Sequence, residues 1–201
     1  MGANMHPSEN ILERALDWME AGREIAFATV IAAKGSSPRP VGSQLLIDED
    51  GNFEGSVSGG CIEGTVVAEG MEVIALGKPR RLFFGVAGDR AWDVGLACGG
   101  EVELFIEPLS GHRELLIKLN ALRKARQAAC LVTDLSSGEK TLITSGTENP
   151  SVPPALCDAI EDALASQNSN VCTLGDDCFF LHTCFPDPEL VIIGAVHIAQ
   201  P

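Results

Sequence analysis

The stretch "SQLLIDEDGNFEGSVSGGCIEG", residues 43–64, holds the pattern that decides how the first half of the chain folds. Residues 43–57 predict two strands around a turn at Asp50-Gly51-Asn52, because these residue types favour the backbone conformations of hairpin turns. The overlapping "GSVSGGCIEG" (55–64) has four glycines and two serines around one cysteine. Glycine costs chain entropy on folding, so this cluster indicates either a tight turn or a loop shaped to present Cys61.

The elements on either side of this stretch follow an α/β pattern. Apolar residues recur at helical spacing in some segments and form β-rich or alternating runs in others. We therefore predict an α/β protein with an N-terminal mixed-sheet domain over residues 1–109 and a smaller α/β region over residues 110–201. The predicted helices cover 7–21, 61–76, a leucine stripe from Leu115 to Leu122, and 155–166; the further strands cover 25–33, 80–85, 101–108, a hairpin across Ser136-Ser137-Gly138, 170–174 and 177–183.

Composition limits the classes of partner. The 201 residues are 45% hydrophobic and 21% charged, the balance of a globular protein, and carry a net charge of −14. Such an acidic chain argues against nucleic acid and against an anionic membrane surface, since both require basic residues. The first twenty residues lack the apolar run of a signal peptide, and no segment is apolar enough to predict a membrane span. The seven cysteines are therefore interpreted as free thiols in a reducing cytosol, and we expect a cytoplasmic protein.

Three glycine-rich segments, "GSSPRPVG" (35–42), "GSVSGGCIEG" (55–64) and "GLACGG" (95–100), lie at the ends of predicted elements. Binding residues are common in such loops. The second segment leads into a helix, so we expect its N–H groups to point outward as an anion site, with Cys61 in the first helical turn. A thiol there can have a lowered pKa, while Glu63 is placed to cap the helix. The alternative is that these are ordinary tight turns.

The same loops carry a family resemblance. "GSSPRPVGSQLLI", "GSVSGGCIEG", "FFGVAGDRAWDVGLACGGEVELFIEPL" and "LVIIGAVHIA" occur in this order and together resemble the XdhC/CoxI family of xanthine dehydrogenase accessory proteins. The resemblance is strongest over residues 10–108. It implies a chaperone-like maturation factor that binds molybdenum cofactor and assists its sulfuration and insertion into a molybdenum hydroxylase such as xanthine dehydrogenase.

The resemblance also implies which residues bind the cofactor. The three loops would converge on one pocket, with Arg39 on the cofactor's phosphate and glycines that let the backbone approach the pterin. A thiolate of Cys61 or Cys98 would contact the molybdenum or carry a sulfur atom as a persulfide, or Cys61 merely packs. The implied cofactor-binding residues are Ser37, Arg39, Gly42, Ser58, Gly59, Gly60, Cys61, Glu63, Cys98, Gly99 and Gly100.

The end of the chain departs from the family pattern. "LVIIGAVHIA" resembles the first strand and turn of a Rossmann unit, with Val196 where the fingerprint requires its second glycine. We predict an incomplete Rossmann start over residues 189–201, or simply a terminal strand at 190–194, and expect no NAD(P) binding by this chain alone. The chain is then a truncated product, or half of a split system whose Rossmann part is a separate polypeptide.

Other cysteines allow a zinc hypothesis. Cys172, Cys178, His182 and Cys184 have the spacing C-x5-C-x3-H-x-C, which matches no common zinc pattern. Cys178, His182 and Cys184 alternate along the predicted strand, so their side chains lie on the same face as that of Phe180. Packing of a half-buried strand therefore accounts for these residue types as well as a zinc site does.

The resemblance thus implies a non-catalytic maturation factor rather than an enzyme. Its expected partners are a molybdenum hydroxylase client, a cysteine desulfurase as sulfur donor and a second copy of the chain. Two alternatives stay open: an oxidoreductase or thiol enzyme acting on a small molecule, and an interaction-only remnant without a ligand.

Overall fold

The computed structural model describes residues 11–37, 39–85, 99–146 and 152–186. The helices within these ranges are α1 (Ile11–Glu20), α2 (Glu63–Leu76), α3 (Arg113–Lys124) and α4 (Pro154–Ser166). The strands are β1 (Ile25–Lys34), β2 (Gln44–Asp48), β3 (Phe53–Gly55), β4 (Arg80–Phe84), β5 (Glu101–Pro108), β6 (Ala129–Asp134), β7 (Lys140–Thr144), β8 (Asn170–Leu174) and β9 (Asp177–Cys184). The α/β class is confirmed. Helix α2 begins at Glu63 rather than at residue 61, and the predicted Rossmann start at 189–201 lies outside the described residues.

The strands form two sheets. The first has the order β3-β2-β1-β5-β4 and the second the order β7-β6-β9-β8. Every pairing among the described strands is antiparallel, whereas we expected a mixed sheet in the N-terminal region. Short turns account for three of these pairings, β2 with β3, β6 with β7 and β8 with β9, because a short turn reverses the chain direction. The turn expected at Asp50-Gly51-Asn52 connects β2 to β3.

The central strand β1 is buried on both faces, because its alternate side chains enter two different cores. Ala26, Ala28 and Val30 lie in one cluster with Val66 and Val73 of α2. The opposite face of β1 looks towards the second sheet: Ile25 and Phe27 pack with Ala129 and Leu131 of β6. The sequence "IAFATVIAA" is apolar almost throughout because neither of its faces meets water.

The second sheet is also covered on both faces. Cys130 and Val132 of β6 pack with Leu156 and Ile160 of α4. The helices α1 and α3 contribute Leu12, Trp18, Leu116 and Leu119 to the core between the sheets. The layers therefore run α2, first sheet, second sheet, α4. None of the helices within the described ranges has the length and apolar character needed to cross a membrane.

Two glycines of α2 provide a matched test of this packing. A Cβ on Gly70 would lie 2.4 Å from Cδ1 of Ile47, a fully buried side chain of β2, whereas a Cβ on Gly64 would meet nothing within 4 Å. We expect Gly70→Ala to destabilise the fold by about 1–3 kcal/mol, since the helix must move off the sheet. Gly64→Ala should instead stabilise it by about 0.5–1 kcal/mol through helix propensity.

Urea unfolding of both variants checks this pair of expectations. Equal effects of the two substitutions would show that α2 does not approach the first sheet as closely as described.

Candidate functional site

The glycine-rich loop 55–64 is organised by the carboxylate of Glu63, the first residue of α2. Oε1 accepts hydrogen bonds from the Ser56 hydroxyl at 2.8 Å and from the N–H groups of Val57 at 3.2 Å and Ser58 at 2.9 Å. Oε2 accepts from the Ser58 hydroxyl and from the N–H of Gly60 at 2.9 Å. Glu63 is only 7% exposed. The loop is thus wrapped around a buried carboxylate.

The remaining N–H groups of this loop also point inward. The N–H of Gly59 donates to the Ser56 hydroxyl at 2.9 Å. Those of Cys61 and Ile62 both donate to the Ser58 hydroxyl at 3.0 Å. Every N–H from residue 57 to residue 62 therefore has a partner within the loop. The expectation that these groups point outward as an anion site is wrong, because the protein supplies its own anion in Glu63.

These hydrogen bonds determine the protonation of Glu63. Burial on its own would raise the pKa of a carboxyl group. Hydrogen bonds from the hydroxyls of Ser58 and Ser56 and from loop N–H groups outweigh burial and lower the pKa of Glu63 to about 2. The carboxylate is therefore ionised throughout the physiological range.

The loop leaves Cys61 on the surface as a free thiol. It precedes the helix N-cap residue Ile62, so it does not lie in the first helical turn as expected. Gly59 and Gly60 come directly before it with φ of +76° and +113°, conformations that other residues rarely adopt. These two glycines turn the chain so that the Cys61 side chain faces outward while its N–H faces the Ser58 hydroxyl.

The loop 35–42 contacts both of the other glycine-rich segments. Nε of Arg39 donates to the Ser56 hydroxyl at 3.3 Å, and the Ser37 hydroxyl donates to the Arg39 carbonyl at 2.9 Å. A Cβ on Gly100 would lie 2.7 Å from the Ser36 carbonyl oxygen. The backbones of these two loop segments therefore pack directly against each other. Hydrogen bonds thus run from Arg39 through Ser56 to Glu63.

Two of the predicted residues stand apart from this arrangement. A Cβ on Gly42 would lie 3.3 Å from Nε2 of His182 and 3.4 Å from the Ser169 hydroxyl, so Gly42 faces the second sheet. Cys98 lies outside the described residues, although its neighbour Gly99 is within them. Ser56 was missed by sequence reasoning, since no spacing rule relates a serine to a helix-terminal glutamate seven positions later.

The cysteines of the second sheet lie on both of its faces and do not form one cluster. Cys178 and Cys184 belong to the side of β9 that faces the first sheet, whereas Cys172 packs in the α4 cluster on the other side. Among the described residues, no group of three or more His, Cys, Asp or Glu is arranged to hold a metal ion. Strand packing accounts for these side chains.

The fold and this loop define a two-sheet α/β protein that displays a surface thiol on a glycine loop anchored by a glutamate. Comparison with known proteins confirms the family resemblance: the model of the XdhC and CoxI family matches residues 18–85. That segment includes the loops at 35–42 and 55–64, while the segment at 95–100 lies beyond it.

Two relatives and one solved structure of similar fold extend the comparison. The chain is 31% identical over 139 residues to the molybdenum cofactor insertion chaperone PaoD of Escherichia coli, covering 64% of this chain and 43% of PaoD. It is 23% identical over 190 residues to a probable xanthine dehydrogenase subunit of Bacillus subtilis, covering 88% of this chain and 54% of that protein. A crystal structure of a xanthine dehydrogenase from Bacillus halodurans superposes with a TM-score of 0.60 at 20% identity, covering 87% of this chain and 52% of that one. The chain thus spans about half the length of these proteins.

The low pKa of Glu63 predicts a pH dependence of stability. A carboxyl group whose pKa is depressed on folding stabilises the protein above its ordinary pKa, and this contribution disappears as the pH falls towards the depressed value. With a pKa of about 2 against an ordinary 4.5, Glu63 should account for ~3 kcal/mol of the stability lost between pH 5 and pH 2.

Urea unfolding of Glu63→Gln at several pH values measures this contribution. The variant should be less stable at pH 7 and should lose correspondingly less stability on acidification, whereas the exposed control Glu161→Gln should follow the parent protein. Parallel pH profiles for Glu63→Gln and the parent would contradict the proposed role of the carboxylate.

Proposed function

We propose that this protein is an accessory factor for molybdenum enzymes, which binds molybdenum cofactor and assists its sulfuration and insertion into a molybdenum hydroxylase. The similarity to PaoD, a molybdenum cofactor insertion chaperone, supports an accessory role for molybdenum enzymes. Within this role the chain works as a carrier that passes its cofactor to another protein rather than as an enzyme with its own turnover.

The observation that carries the proposal is the outward-facing Cys61 on a loop whose own donors are all satisfied. A loop bonded to Glu63 at five points has little freedom to rearrange. It therefore offers the thiol to a ligand at little further entropic cost. A soft thiolate is a suitable ligand for a soft metal centre and a suitable carrier of sulfur.

Arg39 supplies the charge that the loop N–H groups do not offer. Its Nε is held by the Ser56 hydroxyl, and a guanidinium group carries further donors on its outer edge. These donors suit the phosphate of the cofactor, since arginine binds phosphate through paired hydrogen bonds. Ser37, Gly99, Gly100 and Cys98 complete the proposed pocket around Arg39 and Cys61, with the glycines allowing the pterin to approach the backbone.

For the sulfuration step, Cys61 is the proposed acceptor of sulfur from a cysteine desulfurase. The Cys61 thiolate attacks the outer sulfur of the desulfurase persulfide, whose inner S–S bond breaks. The products are a Cys61 persulfide and the free thiol of the desulfurase, so no external oxidant or reductant is needed. The sulfur carried by Cys61 would then lie next to the proposed cofactor contacts of the same loop.

Substitution of the two exposed groups tests this function. We expect protein from cells that synthesise molybdenum cofactor to retain molybdenum and fluorescent pterin, measured by elemental analysis and fluorescence. Cys61→Ser and Arg39→Met should each lower retention about tenfold, since each removes one anchoring contact of about 1.4 kcal/mol. Cys157→Ser on α4 is the matched control, because Cys157 lies away from these loops and its Sγ contacts the Val152 carbonyl.

Activation of an apo molybdenum hydroxylase by the loaded protein provides the functional readout, with Cys98→Ser compared in parallel. Unchanged retention in both Cys61→Ser and Cys98→Ser would refute the role of the thiols. Catalytic turnover by the isolated protein without a client would favour a small-molecule enzyme instead.

A further inference from the structure

A cavity of about 120 Å³ lies between the two sheets, separate from the surface loop that carries Cys61. Its walls are mostly apolar: Phe27 and Phe105 come from the first sheet, Leu131 and Phe180 from the second, and leucines of α3 close one side. Well-packed interiors have few voids larger than a water molecule. This cavity is therefore larger than the voids usual in a packed core and has room for a small bound molecule.

One end of the cavity carries a buried ion pair that joins the two sheets. Oε1 of Glu107 on β5 lies 2.7 Å from Nζ of Lys140 on β7, and the two side chains are 5% and 4% exposed. The Lys140 ammonium also donates to the Thr133 hydroxyl at 2.7 Å. Burial raises the pKa of Glu107 while the positive charge of Lys140 opposes that rise. The pair places two charged groups at one end of the cavity, and Arg123 of α3 is the third charged side chain on its wall.

The second carboxylate oxygen of Glu107 is unused. Glu107 is 4% exposed, and its Oε2 is buried without a hydrogen-bond partner among the described residues. A buried acceptor without a donor costs about 1–3 kcal/mol, and more when the group is charged. Since Glu107 lines the cavity, a molecule bound there with an N–H or O–H group could satisfy this oxygen.

The other polar side chains on the cavity wall include Thr133 and Arg123, which already have protein partners: the Thr133 hydroxyl accepts from Lys140, and Arg123 lies 3.8 Å from the Glu13 carboxylate. The side-chain amide of Gln44 donates to the Thr29 hydroxyl at 3.2 Å. Burial and the nearby Lys140 charge lower the pKa of His182 to about 4, so its ring is neutral at pH 7. The centroid of this ring lies 5.7 Å from that of Phe180, with the two planes tilted by 34°. A buried water needs two to four polar partners. One apolar molecule with a single donor therefore fits this cavity better than several waters.

We propose that the space between the sheets is a binding site for one small, neutral, ring-sized molecule whose N–H or O–H group donates to Oε2 of Glu107. The volume suits a six-membered ring, since an engineered cavity of about 150 Å³ binds benzene. The aromatic side chains on both walls favour a flat ring over a branched aliphatic molecule. This site is independent of the proposed cofactor pocket, although Gly42 connects the two regions by packing on His182.

Phenol and benzene are matched probes for this site, because they have the same ring and only phenol carries a donor. We expect saturable binding of phenol to the whole chain, about tenfold tighter than benzene, because a hydrogen bond to a charged group adds affinity beyond ring burial. Titration followed by NMR measures both affinities. A crystal structure with phenol should place its oxygen within hydrogen-bond distance of Glu107 Oε2.

Glu107→Gln tests the role of the carboxylate. An amide that keeps its oxygen towards Lys140 presents its N–H₂ to the cavity, and the phenol oxygen is only a weak acceptor for that group. The charge-assisted hydrogen bond is lost, so the preference for phenol over benzene should fall severalfold while ring binding persists. Glu103→Gln on the same strand is the control, since Glu103 pairs with Arg81 and does not line the cavity. It should keep the preference for phenol.

If Glu107→Gln fails to fold, the affinities of the unmodified protein for phenol and benzene still test the proposal. Equal affinities for phenol and benzene would show that Glu107 does not select the ligand. Binding of neither probe, or a cavity that holds only water in crystals soaked with phenol, would overturn the proposal.

Discussion

A carboxylate buried in a loop of small residues has to collect hydrogen-bond donors, and the side chain of Glu63 does so at the start of α2. Five donors from residues 56–60 converge on its two oxygens. Because the donors are spread over the loop, the carboxylate fixes the shape of the whole segment. The outward position of Cys61 and the contact between Arg39 and Ser56 both follow from that shape.

The sheets explain why this loop can be held so firmly. It leaves β3 at the edge of the first sheet and enters α2, which packs across the sheet through Val66 and Val73. Both ends of the loop are thus attached to a core that includes the central strand β1. Since β1 is buried on its other face by the second sheet, the two cores share one strand and support each other.

Much of the fold could be predicted from sequence because it follows from local patterns. The turn at Asp50-Gly51-Asn52 and the apolar run of β1 each carry a signal within ten residues. The parity of Cys178 and His182 likewise predicted that they share one face of a strand. A mixed sheet was expected, but every pairing among the strands of the described ranges is antiparallel. Strand direction depends on connections that local periodicity does not encode.

The interior of the site was harder to predict. Glu63 was expected to cap a helix, but its bonds to Ser56 and Ser58 exist only once the loop has closed around it. The pairing of Glu107 with Lys140 joins residues on different sheets, and no spacing in the sequence links them. Such contacts depend on how layers stack, so they become visible only in the folded molecule.

The most direct measurement for the central claim is the position of molybdenum in a crystal of the protein loaded with cofactor, located by anomalous scattering at the molybdenum absorption edge. We expect a peak beside the loop that Glu63 organises, within contact distance of the Cys61 thiol and on the side of Arg39. A peak at a position that touches neither residue would show that this loop does not hold the cofactor.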